Sequence, residues 1–266
     1  MKALAVTNQK GGVGKTTTGV NLAANLAARG LRVLLVDLDP QGNATSGSGV
    51  DKSRLVNTVY QMLLGLRGME EIKTSTDFGY DLLPANRDLG GAELELIEVS
   101  RREYRLVDAL NGVAAGYDLV LIDCPPALNL LTLNGLVAAS GVVIPMQCEY
   151  YALEGLTDLV ATLRKVRTNL NPSLEIEGLL RTMYNSQSML TRQVSDELEK
   201  HFGKKVYQTM IPRNVRLAEA PSHGKPVGYY DKHSRGAQAY AQLADELIAR
   251  MDLRPASQPA MQGVAT

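Results

Sequence analysis

Residues 8–18, NQKGGVGKTTT, contain the residue types that bind phosphate groups. Residues 14–16 match the end of the phosphate-binding loop pattern G-x-x-x-x-G-K-[ST], but Gln9 replaces the first glycine of that pattern. An additional cation, Lys10, stands beside this replacement. The segment therefore predicts a phosphate site with two lysines, in which later glycines make the turn. The residues that we predict to bind a nucleotide here are Gly11, Gly12, Val13, Gly14, Lys15, Thr16 and Thr17.

Each residue type in this loop has a definite task in phosphate chemistry. Glycines let backbone N–H groups turn toward phosphate oxygens without a Cβ clash. A helix that begins near Lys15 points the positive end of its dipole at the same place. The Lys15 ammonium can reach the β- and γ-phosphates, and the Thr16 hydroxyl is placed to ligate Mg²⁺. The alternative is a glycine-rich strand-to-helix turn in which the lysines stand by chance.

Carboxylates follow two apolar runs that are typical of buried strands. Asp123 ends the run DLVLID, and α/β sheets bind ligands at the carboxyl ends of their strands. We predict that it holds Mg²⁺ through water, together with Thr16. Asp37 and Asp39 end the run RVLLVDLD and share a face if the chain stays extended. Asp39 is the candidate for orienting the attacking water, whereas Asp37 could equally be a structural residue before Pro40.

The elements that must position these residues alternate between strands and helices. Predicted strands lie at residues 3–7, 32–37, 118–123, 142–146, 176–183 and 205–210, and predicted helices at 15–29, 151–169, 192–201 and 234–250. Residues 56–105 predict mixed helix with one short strand at 80–83. This alternation predicts an α/β fold, a mostly parallel twisted sheet with helices on both faces, in one domain of residues 1–253. Residues 254–266 have little to bury, and we expect a disordered tail.

Composition limits the class of protein. Apolar residues make up 45% of the 266 and aromatic residues only 5%, which suits an aliphatic core. The 28 basic and 28 acidic residues cancel, so a polyanion partner requires a local patch. Cys124 and Cys148 lack C-x-x-C spacing and indicate reduced thiols. No apolar run reaches the ~18 residues of a membrane span, and no signal peptide precedes the first strand. We therefore expect a soluble cytoplasmic protein.

Basic residues are concentrated between residues 200 and 235, a segment that we call the basic run. Eight lysines and arginines face only two acids there, a local net charge of +6, whereas residues 51–100 contain five basic and nine acidic residues. Duplex DNA bound through its phosphates requires a basic stripe of this kind, and such binding is independent of sequence and sensitive to salt. The alternative is a solvated face. The predicted DNA-binding residues are Lys204, Arg213, Arg216, Lys225 and Arg235.

Five segments resemble one family, in order along the chain: KGGVGKTT, DLDPQGNAT, LIDCPP, IPRNVRLAEAPSHGKPV and YDKHSRGAQAY. They are similar to the ParA/Soj group of chromosome- and plasmid-partitioning ATPases, relatives of MinD and of the nitrogenase iron protein. The lysine before the glycines is the deviant Walker A signature of that superfamily. The last two segments point to Soj-like proteins, and the resemblance covers about residues 2–250.

The resemblance implies a P-loop NTPase fold and Mg²⁺-dependent hydrolysis of ATP. It implies that Lys10 reaches across a nucleotide-sandwich homodimer to the phosphates on the other subunit. It makes Asp39 the hydrolytic aspartate, beside the catalytic lysines Lys10 and Lys15, and assigns Mg²⁺ to Thr16 and Asp123. The residues that it implies near the adenine are Asn185, Pro212, Arg213 and Asn214.

The resemblance also implies partners. An ATP dimer of such a protein binds DNA without sequence preference, associates with the nucleoid, and is stimulated to hydrolyse ATP by a ParB/Spo0J-like protein. Arg216 matches a DNA-contact arginine of the family. Gln187 is a departure, because relatives often carry arginine in that element; either Arg192 or Lys204 compensates, or DNA binding is weaker.

Other functions leave features of the sequence unexplained. A MinD-like, membrane-associated positioning ATPase is the alternative, but it needs a C-terminal basic amphipathic helix, which RPASQPAMQGVAT does not offer. An iron–sulfur reductase needs suitably placed cysteines, and a P-loop kinase or ligase leaves Lys10 without a role. Because only nine residues precede Lys10, we expect no N-terminal operator-reading domain. The sequence does not distinguish a chromosome from a plasmid as the DNA that is served.

Overall fold

A seven-stranded sheet organises the chain in the computed structural model, which describes residues 2–112 and 116–255. The strands are β1 (Ala3–Val6), β2 (Val33–Asp37), β3 (Thr74–Ser75), β4 (Asp81–Leu83), β5 (Leu119–Asp123), β6 (Gly141–Gln147) and β7 (Glu175–Thr182). Their spatial order is β3-β4-β2-β5-β1-β6-β7, and every neighbouring pair is parallel except β3 with β4. The predicted α/β class is confirmed.

Helices pack against both faces of this sheet. In chain order the α-helices of the described residues are α1 (Lys15–Ala27), α2 (Asn43–Gly47), α3 (Val59–Leu64), α4 (Met69–Ile72), α5 (Leu89–Glu95), α6 (Arg105–Leu110), α7 (Leu130–Ala138), α8 (Ala152–Asn169), α9 (Met189–Phe202), α10 (Val215–Glu219), α11 (Val227–Tyr230) and α12 (Arg235–Met251). In β5, Leu119 and Leu121 join the α1 and α12 side chains, whereas Val120 and Ile122 join those of α3, α7 and α8. Since side chains alternate along a strand, a strand that is apolar at every position is buried on both faces.

The strand predictions agree with the structure to within one residue, except at residues 205–210, where the predicted strand is wrong. That segment makes one isolated parallel bridge, between Val206 and Leu179. Three of its backbone groups bond to side chains of α12 instead, and Arg181 of β7 donates to the Tyr207 carbonyl. Two of its N–H groups donate to Glu246, at 2.8 and 2.9 Å, and Arg250 donates to the Val206 carbonyl. A ladder cannot form because these side chains occupy the groups that a strand would use.

The predicted helices are present, three of them to within two residues. The fourth begins earlier than predicted, at Met189, because the Ser188 hydroxyl caps it by accepting from the Thr191 N–H group. Residues 56–105 contain α3 to α5, the start of α6 and the expected strand β4, and also the two-residue strand β3. Most of the predicted tail, residues 256–266, lies outside the described residues. Within the described part of the chain, no helix is long and apolar enough to cross a membrane.

Candidate active site

The glycine-rich loop connects β1 to α1 at the carboxyl edge of the sheet. Gly12 and Gly14 have φ angles of 73° and 88°, in the left-handed region that suits glycine. A Cβ on Gly11 or Gly12 would meet no described atom within 4 Å, so the surface of the loop is open there. Gly14 precedes α1 without a side-chain cap, which leaves the first helical N–H groups available to an anion. The loop therefore fits a phosphate group.

Lys15 is directed into this loop. Its side chain is buried, and its Nζ atom donates to the Lys10 carbonyl at 3.0 Å. Burial lowers the pKa of Lys15, and the carboxylates of Asp123 and Asp39 oppose that shift. The structure thus brings the second lysine of the loop and two of the predicted carboxylates close together, as a phosphate site with a metal requires.

Thr182, at the end of β7, is hydrogen-bonded to the glycine-rich loop. Its buried hydroxyl donates to the Val13 carbonyl at 2.8 Å. Its side chain also lies against Gly14, where an added Cβ would be 3.8 Å from the Thr182 methyl group. Sequence reasoning placed Thr182 in a strand and gave it no part in the site, because 169 residues separate it from Val13.

Asp37 braces the turn that carries Asp39. It is fully buried; one of its oxygens accepts from the Thr45 N–H and hydroxyl groups, at 2.8 and 2.7 Å, and the other accepts from the Asp39 N–H at 3.1 Å. Burial raises the pKa of Asp37 to about 6, although these hydrogen bonds oppose the rise. Asp39 is half-buried and accepts from the Gln41 N–H at 2.9 Å. This arrangement supports the structural interpretation of Asp37.

Asp123 is the carboxylate whose surroundings suit a metal ion. It ends β5, opposite Val6 on one side and Asp37 on the other, and it is fully buried. Neither of its oxygens has a hydrogen-bond partner among the described residues. Burial and then the Asp37 carboxylate raise the pKa of Asp123 well above its usual range; the neighbouring Thr16 hydroxyl opposes the rise, although it does not reach hydrogen-bond geometry with either oxygen. A buried carboxylate without partners is costly, and Mg²⁺ beside Thr16 would relieve that cost.

Protein side chains do not form a complete metal cage here. The described residues contain no group of three or more His, Cys, Asp or Glu side chains suited to hold a metal ion. Mg²⁺ is usually bound by one or two protein groups together with substrate phosphates and water. The pair of Asp123 and Thr16 fits that mode.

Lys10 stands at the rim of the loop. Its Nζ atom pairs with the Glu149 carboxylate at 2.5 Å, and about half of each side chain is exposed, 49% and 51%. The Lys10 N–H donates to the Asn8 side chain, which in turn donates to the Pro145 carbonyl in β6. The two lysines of the loop thus differ in setting, since Lys15 is enclosed and Lys10 faces outward.

A cavity of about 280 Å³ lies between the loop and residues 211–214. Apolar groups form much of its wall, which suits a flat purine base. Its lining includes the predicted base-contact residues Pro212, Arg213 and Asn214, together with Gly14 and Thr17. Asn185 is not part of that lining; it is exposed, and its side chain accepts from the Gln187 N–H at 3.1 Å.

We call this cavity the base cavity. The C-terminal segment around it is held to α1 by buried polar contacts that the sequence does not reveal. Tyr240 of α12 lines the cavity, and its hydroxyl lies 3.1 Å from the Thr18 hydroxyl. The Asn21 side chain accepts from the Val227 N–H at 2.7 Å. Both contacts connect the first turns of α1, directly after the phosphate loop, to the C-terminal segment that carries the basic run.

The predicted DNA-binding residues form two groups rather than one stripe. Arg216 lies in α10, and Arg235 begins α12 at the end where Leu217 packs against Gly236. Lys204 lies at the opposite end of α12, where Arg250 donates to its carbonyl. The 17 residues of α12 span about 25 Å, which separates the two groups. The predicted residues Arg213, Arg216, Lys225 and Arg235 are exposed, and so is Lys204.

Arg216 is paired within the chain. Its guanidinium lies 2.7 Å from Glu219 and 3.3 Å from Asp231, the two acids of the basic run. All three side chains are partly exposed, so these pairs can be exchanged for phosphate contacts at little cost.

Known proteins resemble this chain over nearly its whole length. A family model described as an AAA domain matches residues 1–176. The sporulation initiation inhibitor protein Soj of Bacillus subtilis is 55% identical over 249 residues, which cover 93% of this chain and 98% of that protein. The chromosome partitioning protein ParA of Caulobacter vibrioides is 51% identical over 253 residues, covering 94% and 95%.

A solved structure shares the fold and was determined with a nucleotide. Cobyrinic acid a,c-diamide synthase from Mycobacterium smegmatis, with a bound ATP analogue and magnesium, has a TM-score of 0.83 and 40% sequence identity. The match covers 95% of this chain and 96% of that one. The phosphate loop, the sheet order and the helices on both faces are therefore those of a P-loop NTPase.

Proposed function

The chain belongs to the ParA/Soj family of chromosome-partitioning ATPases, and we propose that it dimerises on ATP, binds DNA without sequence preference and segregates a replicon with a ParB-like partner. The observation that carries this proposal is the second cation of the loop. Lys15 is buried against the phosphate site, whereas Lys10 is half-exposed at the rim. A phosphate loop with one cation inside and one directed outward is suited to a triphosphate shared by two subunits.

ATP is bound by the loop and the neighbouring cavity. The backbone N–H groups around Gly12 and Gly14 receive the phosphates, Lys15 neutralises their charge, and residues 211–214 hold the base. Thr16 and Asp123 hold Mg²⁺, and the metal ion supplies charge neutralisation at the phosphate oxygens. In this scheme residues 1–253 form the ATPase domain.

Hydrolysis requires a water molecule in line with the γ-phosphate. Asp39 is assigned to that water because it is half-buried at the edge of the site. Its negative charge is also close enough to Lys15 to oppose the lowering of the Lys15 pKa. Asp37 fixes the turn and does not touch the water. Such positioning needs no strong base, since phosphoryl transfer depends mainly on geometry and charge.

Dimerisation is the switch that depends on the nucleotide. In the ATP state Lys10 leaves Glu149 and contacts the phosphates held by the partner subunit. Loss of the γ-phosphate removes much of the negative charge that Lys10 would bind, so ADP supports the dimer less well. A ParB-like protein that accelerates hydrolysis would return the dimer to single chains. The working location is the cytoplasm, on the nucleoid.

The DNA surface comprises Arg213, Arg216, Lys225 and Arg235, near the base cavity and the N-terminal end of α12. Val227 and Tyr240, which belong to the same C-terminal segment, contact Asn21 and Thr18 of α1 and so connect this segment to the helix that follows the nucleotide loop. Lys204 lies too far along α12 to join the same stripe. We assign it at most a separate phosphate contact.

The test is retention on random-sequence duplex DNA with ATP, ADP or no nucleotide, beside vesicles of anionic lipid, at two salt concentrations. ATP-specific retention on DNA that falls at high salt, without retention on vesicles, is the expected result. Retention on vesicles alone would assign the protein to MinD-like membrane positioning. Retention on neither would overturn the DNA part of the proposal.

A further inference from the structure

A second cavity, of about 440 Å³, lies beside the first turns of α1. Thr17 lines both this cavity and the base cavity, and Thr16, the residue assigned to Mg²⁺, lies at its edge toward the nucleotide site. Its wall is formed by α1, by α2 and by residues 220–225. The polar groups that line it include Asn43, Ser46 and Ser222. The Asn43 amide and the Ser46 hydroxyl can donate hydrogen bonds to an anion, whereas the Ser222 hydroxyl donates to the Glu219 carbonyl at 2.7 Å.

Two loops that are distant in sequence meet at this cavity. A Cβ on Gly49 would lie 3.1 Å from the Gly224 carbonyl oxygen, and a Cβ on Gly224 would lie 3.1 Å from the Gly49 Cα atom. Backbone therefore packs directly on backbone, and both glycines have positive φ angles, 81° and 61°. This contact brings Lys52, three residues after Gly49, to the same cavity as Lys225.

The cavity has a positive charge without an internal counter-charge. Lys52 and Lys225 line it, and no carboxylate does. Asp51, the acid next to Lys52, accepts from the Ser53 N–H and hydroxyl groups and pairs with Arg54. The Lys52 Nζ atom donates to the Gln41 carbonyl at 2.5 Å, and an ammonium group has three donors, so it can contact an anion as well.

We propose that this cavity binds a backbone phosphate of duplex DNA, held between Lys52 and Lys225. The inference rests on the proposed DNA binding and extends that surface to a segment with the opposite overall charge, since residues 51–100 contain nine acids against five basic residues. Lys225 already belongs to the basic run, and the cavity residues 220–222 directly follow α10, the helix that carries Arg216. Small hydroxyl and amide groups beside two lysines are typical of contacts to phosphate rather than to bases.

The experiment measures the affinity of the full chain for random-sequence duplex DNA between about 50 and 200 mM salt. A non-hydrolysable ATP analogue holds the nucleotide state constant, so that any effect of Lys52 on turnover does not enter. The variants are Lys52→Gln and Lys225→Gln. Lys165→Gln, an exposed lysine of α8, which packs against the other face of the sheet, is the matched control. Melting temperatures verify that each variant is folded.

Each cavity variant is expected to flatten the slope of log K against log salt by about 0.9 for each phosphate that it no longer neutralises, while the control keeps the wild-type slope. A Lys52→Gln slope equal to that of the wild type, in a wild type that binds DNA, overturns this inference and leaves the proposed function intact. If the wild type does not bind DNA, both the inference about the cavity and the proposed DNA binding are overturned. Vesicles of phosphatidylglycerol form a second arm, and a Lys52→Gln defect confined to them would assign the cavity to lipid phosphate instead.

Discussion

The ammonium group of Lys10 lies 2.5 Å from the carboxylate of Glu149, two residues beyond the end of β6. In the single chain the outward lysine of the phosphate loop is therefore held by its own protomer. Both side chains are about half exposed, and such pairs contribute only ~0.2–1 kcal/mol. The pair orients Lys10 in the single chain, and its small energy would let the proposed contact with a triphosphate on a second subunit replace it.

Glu149→Gln should favour the dimer, because it removes the carboxylate that competes for Lys10. The concentration of a non-hydrolysable ATP analogue at half-dimerisation should fall by about 1.4- to 5-fold, the equivalent of ~0.2–1 kcal/mol. Sedimentation velocity measures the dimer fraction. Glu154→Gln, an exposed glutamate in the first turn of α8, is the control. A higher midpoint in Glu149→Gln would mean that Glu149 supports the dimer instead.

Lys10→Gln should separate nucleotide binding from dimerisation. The loop geometry and Lys15 remain, so the single chain should still bind ATP, yet it should stay monomeric at saturating nucleotide. Lys15→Gln should instead abolish nucleotide binding altogether. Titration with a fluorescent ATP analogue and sedimentation of the same samples distinguish the two outcomes. A normal ATP dimer of Lys10→Gln would contradict the assigned role of the second cation.

Asp39→Ala and Asp37→Ala should fail in different ways. Asp39 is half-buried with one backbone contact, so its removal should leave the melting temperature nearly unchanged while ATP turnover falls by about 10²- to 10⁴-fold. The Asp39→Ala protein should accumulate as an ATP dimer. Asp37 is buried and satisfies two donors of Thr45, and buried donors left unpaired cost ~1–3 kcal/mol each. Thermal melting and phosphate release measure the two effects, and undiminished turnover of Asp39→Ala would remove it from its role.

The strands could be predicted because a parallel sheet buried on both faces requires continuous aliphatic runs, and such runs are local in sequence. Residues 205–210 looked like another strand by the same criterion. Three of their backbone groups, however, bond to Glu246 and Arg250, which follow about forty residues later. No pattern within residues 205–210 indicates that these distant side chains bind their backbone. Strand β3 was missed for a different reason, since two residues carry no periodicity.

The residues of the candidate site also fall into those that local sequence reveals and those that only the fold brings together. The phosphate loop and its carboxylates could be predicted because the chemistry of each is contained in a few consecutive residues. Glu149 and Thr182 contact the loop from 139 and 169 residues away, and neither belongs to a recognisable pattern. The basic run was contiguous in sequence but is divided in space, because the whole of α12 lies between Lys204 and Arg235. Charge counted along the chain could not reveal that division.

Thr182→Val should weaken ATP binding without unfolding the protein. Valine keeps the shape of the side chain but cannot donate to the Val13 carbonyl, so the phosphate loop is no longer hydrogen-bonded to β7. A cost of ~1 kcal/mol in the bound loop geometry corresponds to about a fivefold higher Kd for ATP. Thr157→Val removes a similar hydroxyl-to-carbonyl bond on exposed α8 and should leave the Kd unchanged. Equal affinities for the wild type and Thr182→Val would show that this hydrogen bond does not position the loop.

Glu246 should make the segment before the base cavity sensitive to acid. Burial raises the pKa of Glu246, but the N–H groups of Thr209 and Gln208 and the charge of Arg250 outweigh it, so that this pKa lies below the ordinary value of 4.5. A carboxyl group whose pKa is lowered by folding stabilises the folded state above its unfolded pKa, and that contribution is lost as the pH falls through the folded value.

The melting-temperature difference between the wild type and Glu246→Gln should therefore be constant near neutral pH and shrink below about pH 4.5. Differential scanning fluorimetry from neutral pH downward measures this difference, and comparison of the two proteins cancels the acid sensitivity of all other groups. Since residues 208 and 209 lead directly into residues 211–214, Glu246→Gln should also raise the Kd for ATP at neutral pH. If the melting-temperature difference stays constant below pH 4.5, the hydrogen bonds from residues 208 and 209 persist when Glu246 is protonated. The negative charge of Glu246 would then not be what holds the segment.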